Sequence, residues 1–260
     1  MALRAARVTA RWCGGSLTRL AVWGRWVSMP ANREMQARME IVIRDRLLRV
    51  QERLALAACR AGRRPEDITL VAVSKVKPAS DILAAYQAGQ RHFGENYVQE
   101  FEQKLGELGE LPGAVFHLIG KLQSNKTTRA ARLFHVIQTV DGVKTARRLN
   151  EAGHPLDVFL EVKLSDEPAK GGMAEHDLPE VKEYVERCEN LRLRGLMGMP
   201  PWFEDPEQAR PFFGRWRELA QQHGLAELSM GMSNDLEVAI AEGATMVRVG
   251  TAIFGARIRN

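Results

Sequence analysis

Residues 68–80 read ITLVAVSKVKPAS: an apolar, β-branched run, then two lysines, a proline and a helix start, without a single glycine. A short apolar run closed by turn residues is a buried strand. A doubly wound open sheet that binds a dinucleotide leaves a glycine fingerprint at this first strand-to-helix turn. The turn here has none, which favours a closed barrel.

Reading outward, similar runs recur at 91–94, 115–120, 136–140, 157–163, 191–199, 227–232 and 245–251. Helical stretches separate them at 80–88, 96–108, 123–133, 142–152, 175–190, 205–222 and 234–242. Ser80, Asn96, Ser124, Asp141, Asp205 and Ser233 are placed to cap these helices, and Gly89, Gly153, Gly224 and Gly243 to end four of them. Strands alternating with helices pair in parallel through right-handed crossovers. A further helix over 34–63 precedes the first strand, with apolar residues at helical spacing. The expected fold is α/β, a single (β/α)8 barrel with an extra N-terminal helix, over residues 34–260.

The formal charge of +5 is uneven. Six of the 37 basic residues and none of the 32 acidic ones lie in 1–33, so the remainder holds 31 basic against 32 acidic residues. The basic character belongs to a tail, and no nucleic-acid partner is expected. Residues 1–33 are expected to stand outside the fold, either as an Arg-rich mitochondrial presequence or as leader upstream of Met29. Cys13, Cys59 and Cys188 are too sparse for a disulfide framework or a thiolate zinc site. No apolar run reaches bilayer length, and no His, Asp and Glu set has metal spacing.

Chemistry in such a barrel sits at the C-terminal ends of the strands. Lys75 ends the first strand, and burial there would raise its neutral, nucleophilic fraction. The plainer reading is a solvated lysine at the rim. Arg248 lies within the apolar eighth strand and needs an acceptor, either a carboxylate or the lone pair of a bound heterocycle. Gly250 and Thr251 offer backbone N–H groups after that strand. Ser233, after the seventh, aims a helix N-terminus into the mouth. Together these describe a phosphate site of the kind found after strands seven and eight. Asn96 and His117 follow or lie in the second and third strands. Met197, Met199, Met230 and Met232 are read as core.

VAVSKVKP (71–78), FGENYVQE (93–100), FHLIGKLQSNK (116–126), GLMGMPP (195–201), LSMGMSND (228–235) and MVRVGTAIFGAR (246–257) together resemble the pyridoxal phosphate homeostasis family. The resemblance implies a barrel of the alanine racemase N-terminal-domain type. It also implies a pyridoxal 5′-phosphate cofactor held as an internal aldimine on Lys75. By the same resemblance, Ser233, Gly250 and Thr251 contact the phosphate, Arg248 the ring nitrogen, and Asn96 and His117 line the pocket. Lys163 departs from the asparagine usual in EVKLSDEPAKGG (161–172), while Lys170 retains the lysine of that loop.

Two functional classes use such a barrel. A racemase needs an acid or base on the face opposite the lysine, supplied in alanine racemases by a tyrosine of a second domain. Only about nine residues follow the eighth strand here, and Tyr86, Tyr97 and Tyr184 fall on expected helices. Arginine at the ring nitrogen also weakens the electron sink. A non-catalytic carrier of pyridoxal phosphate, acting in vitamin B6 and amino-acid homeostasis, is therefore expected ahead of a racemase. A class I aldolase using Lys75 without cofactor would leave Arg248 unexplained. The expected protein is a cytoplasmic monomer away from membranes, serving pyridoxal-phosphate-dependent apoenzymes.

Overall fold

The computed structural model describes residues 31–165 and 171–256, with side chains from residue 35 onward. The N-terminal tail as far as residue 30, Lys170 and Arg257 lie outside the described residues. Eight parallel strands close into a barrel in chain order. They are β1 (Thr69–Val73), β2 (His92–Glu95), β3 (Val115–Leu118), β4 (Val136–Val140), β5 (Leu156–Glu161), β6 (Leu191–Met197), β7 (Glu227–Ser229) and β8 (Met246–Val249). All eight coincide with the runs read from sequence. The ring is sealed where Thr69 to Ala72 of β1 pair with Met246 to Val249 of β8.

The outer helices are α1 (Ala31–Arg60), α2 (Ala79–Gln87), α3 (Val98–Leu108), α4 (Thr127–Leu133), α5 (Val143–Glu151), α6 (Leu178–Glu186), α7 (Arg210–Gln222), α8 (Leu236–Ala241) and α9 (Thr251–Phe254). Alternation along the strands separates two cores. Val71, Val136, Phe159, Met197 and Met246 meet inside the barrel. Their strand neighbours, such as Ala72, Ile137, Leu160, Leu196 and Val247, pack outward against the helices.

The turn of helix after β8 is too short to cover its seam with β1, and α1 takes that place, packing on α2, α8 and α9. Ile43, Leu47, Val50 and Leu54 recur every three or four residues on its buried face. At about 1.5–3 kcal/mol for each such side chain removed from water, they outweigh the exposed pairs on its outer face. Arg53 adds a bidentate pair to Glu237 of α8, at 2.9 and 3.0 Å.

The expected helix stops hold: Gly89, Gly153, Gly224 and Gly243 all have positive φ. The expected starts mostly do not. Only Asp205 caps with its side chain, accepting from the Glu207 N–H. Helix starts shifted by one or two residues, so Ser80 falls inside α2, and Asn96 and Asp141 fall before Tyr97 and Gly142, which hold the cap positions. Ser124 likewise lies inside a short 3-10 turn, and Ser233 precedes the true cap of α8, Asp235. Met197 and Met230 are core, but Met199 is exposed, because β6 ends before it and the chain turns out over the mouth.

Candidate functional site

Lys75 stands not on β1 but in a tight turn two residues beyond it, where the Lys77 N–H donates to the Ser74 carbonyl at 3.1 Å. Its side chain is half-buried. Val76 beside it has φ 59, a left-handed backbone that β-branched residues avoid. Lys77 turns away, donating through Nζ to the carbonyls of Phe254 and Ala256 at 2.9 and 3.2 Å.

Across the β8–β1 seam, Arg248 pairs in register with Val71. It shares the inner face with Met246 and is 4% exposed. Sequence reading asked for a carboxylate or a heterocycle as acceptor; the acceptors the protein itself supplies are neutral oxygens. Nη1 donates to the Ser229 carbonyl at 2.6 Å and the Ser229 hydroxyl at 2.8 Å, and Nη2 to the Gly198 carbonyl at 2.9 Å. Gly198 is required there, since a Cβ would meet the Trp216 ring at 2.1 Å. Burial pushes the guanidinium down to about 10, against the fields of Glu161 and Asp235, so it remains cationic at neutral pH.

From Ser229 a chain of bonds crosses the barrel. Its hydroxyl donates to Gln138 Oε1 at 2.7 Å, and Gln138 Nε2 donates to His117 Nδ1 at 2.9 Å. That leaves His117 Nε2 as the donor to His92 Nδ1 at 3.0 Å. Burial, with the neighbouring His92 and His135, holds His117 well below the usual imidazole range, and burial also lowers His92. Both rings are neutral, and the donors run one way from Arg248 to His92. His117 therefore joins Arg248 through Gln138 and Ser229, two residues that sequence reading did not select. Their signal was available: both are polar residues in otherwise apolar runs.

Glu161 was missed as well. It follows Phe159 on the inner face at the end of β5 and is 8% exposed. Burial and then the nearby Asp141 push its carboxyl up to about 7, opposed by Arg248 and Lys121. The unfolded chain releases this proton near 4.5, whereas the folded protein holds it to about 7. Stability should therefore fall as pH rises between those values, by about 3 kcal/mol, and level off above. In Glu161→Gln this slope should vanish and stability at pH 8 should rise. Urea unfolding at pH 5 and pH 8 measures both, and an unchanged slope would contradict the assignment.

Asn96 follows β2 beside the Gly120 backbone, lining a cleft of about 420 Å³ with Lys121, Gln123 and Lys126. Its Oδ1 is buried with no hydrogen-bond partner among the described residues. Ser233 lies in the turn after β7, its carbonyl accepting from Arg53 of α1 at 3.1 Å. Gly250 and Thr251 open α9 directly above β8, and a Cβ on Gly250 would lie 3.2 Å from the Val73 carbonyl. Lys75 and the Gly250–Thr251 amides thus share the β8–β1 seam, while the Arg248 guanidinium reaches across β7 to Gly198 after β6. Lys163 stands two residues beyond β5, across the barrel from β1, and no His, Cys, Asp and Glu cluster suited to a metal occurs among the described residues. Tyr97 precedes α3 rather than lying on it, and is exposed at the rim. Tyr86 instead donates its hydroxyl to the Pro112 carbonyl.

Comparison with known proteins gives a consistent set of likenesses. The family model described as alanine racemase, N-terminal domain, matches residues 49–258. The pyridoxal phosphate homeostasis protein of Pseudomonas aeruginosa is 48% identical over 221 residues, 83% of this chain and 96% of that protein. The protein of the same name from Escherichia coli is 45% identical over 233 residues, 83% of this chain and 97% of that one. The solved structure of PipY from Synechococcus elongatus with pyridoxal phosphate bound aligns with a TM-score of 0.73. It is 39% identical, over 82% of this chain and all of that one.

Proposed function

The chain belongs to the pyridoxal phosphate homeostasis protein family, and from that membership we propose that it binds pyridoxal 5′-phosphate at the β8–β1 seam as a carrier. When bound, the cofactor supplies an aldehyde that condenses with a primary amine, releasing water, together with a phosphate and a pyridine nitrogen. The observation that carries the reading is one juxtaposition: the Lys75 turn, the buried Arg248 and the amides opening α9 share adjacent strand ends. Lys75 offers the amine. Ser233, Gly250 and Thr251 hold the phosphate, and Arg248 faces the ring nitrogen. A guanidinium has no acceptor, so it disfavours a proton there. Asn96, with its unsatisfied buried acceptor, lines the pocket on this reading, and His117 backs Arg248 through Gln138 and Ser229.

On this reading residues 34–260 form the binding unit, and 1–33 a basic tail that could direct import into mitochondria. Apoenzymes that need pyridoxal phosphate are its recipients, and the protein acts as a cytoplasmic monomer without nucleic acid. No helix among the described residues is long and apolar enough to cross a membrane. The relatives are named for homeostasis, which supports a carrier rather than an enzyme. The second reading, an amino-acid racemase, is favoured by Glu161 alone, a buried carboxyl near neutral acidity on the inner face. The purified protein should show the visible band of lysine-bound pyridoxal phosphate, removed by borohydride, and should not racemise added amino acids. A missing band would overturn the binding reading, and turnover that disappears in Glu161→Gln would replace the carrier by the racemase.

A further inference from the structure

The turn that presents Lys75 is gripped by charged groups from β2 and α3, Glu95 and Lys104 buried and Glu100 half-buried. Glu95, the last residue of β2, is fully buried and accepts from the Ser74 hydroxyl at 2.8 Å and from Lys104 Nζ at 2.8 Å. Lys104, 7% exposed, also donates to the Ser74 carbonyl at 2.9 Å and pairs with Glu100 at 2.6 Å. Glu100 in turn accepts the Val76 N–H at 2.6 Å. Three polar groups flanking Lys75 are thus tied to one triad: the Ser74 hydroxyl, the Ser74 carbonyl and the Val76 amide.

The geometry of the turn shows why a grip is needed. With the Lys77 N–H on the Ser74 carbonyl, Lys75 and Val76 hold the two central positions. Positive φ at the second of these is natural for glycine or asparagine. Valine there is strained and would return to an extended backbone if released, rotating Lys75 with it. Buried charges are costly unless they hold something. Lys77 goes instead to the end of α9, and Asp81 feels only the fields of Lys77 and Lys104.

We infer that Glu95, Lys104 and Glu100 are positioning residues that hold the Ser74–Lys77 turn in the strained form that aims Lys75 into the site. This rests on Lys75 being the attachment lysine. The test uses the full chain and two probes: pyridoxal 5′-phosphate, and pyridoxine 5′-phosphate, which has an alcohol in place of the aldehyde and needs no lysine. In Glu100→Ala the Val76 amide loses its acceptor while Lys104 keeps Glu95. If the competent turn then falls to a tenth of the population, affinity for pyridoxal phosphate drops about tenfold. Affinity for pyridoxine phosphate should stay within about twofold, because the same population term does not apply to it. Adding Val76→Gly, which accepts the positive φ without strain, should restore pyridoxal phosphate binding. Unchanged pyridoxal phosphate affinity in Glu100→Ala, an equal loss for both probes, or no rescue by glycine would each overturn the inference. If the parent protein bound pyridoxine phosphate but formed no lysine-bound band, the reading of Lys75 would fall instead, and this inference with it.

Discussion

Lys75→Ala is expected to abolish the visible, borohydride-sensitive band of lysine-bound pyridoxal phosphate while leaving the melting temperature within a few degrees of the parent. The residue occupies a turn beyond β1, half-buried, and contributes no side chain to either core. Truncating such a residue costs little, in the range of ordinary surface substitutions of about 0.5 kcal/mol. The alternatives are placed less well. Lys77 is committed to two carbonyls at the end of α9, and Lys163 lies two residues beyond β5, across the barrel from β1. A reducible band surviving in Lys75→Ala, traced by peptide mapping to another lysine, would move the attachment site.

Arg248→Glu is expected to be the most damaging single change at the site. The guanidinium donates to the Ser229 and Gly198 carbonyls and lies in the field of Glu161 and Asp235. A carboxylate there would meet the Ser229 and Gly198 carbonyls in place of the cation they now accept from. Leaving a buried charge uncompensated costs about 3–5 kcal/mol. In a domain of this size that corresponds to roughly ten degrees or more in Tm. Thermal unfolding of the variant without added cofactor measures it, and a melting temperature within two or three degrees of the parent would remove Arg248 from its structural role.

How far these features were legible depends on their range. The strands could be read because parallel strands buried on both faces show as short continuous apolar runs, and the helix stops because glycine marks positive φ locally. The starts were less legible: Ser233 and Asp141 are good cap residues, but Asp235 and Gly142 hold the cap positions one or two residues later. Tyr97 likewise holds the cap position before α3 rather than lying on it. Arg248 stood out as a charge in an apolar strand, yet its acceptors lie 19 and 50 residues away. The chain Ser229–Gln138–His117–His92 and the grip of Glu95 and Lys104 on Ser74 join segments that no local pattern relates.

By itself the sequence determined the barrel and the singling out of Lys75 and Arg248, since apolar runs, turn residues and misplaced charges are properties of short windows. The tertiary structure alone decided that Arg248 rests on neutral oxygens, that Glu161 holds its proton to about 7, and that a strained turn is held by buried charges. Desolvation and hydrogen bonding depend on which atoms converge from distant strands, and only closing the barrel brings those atoms together.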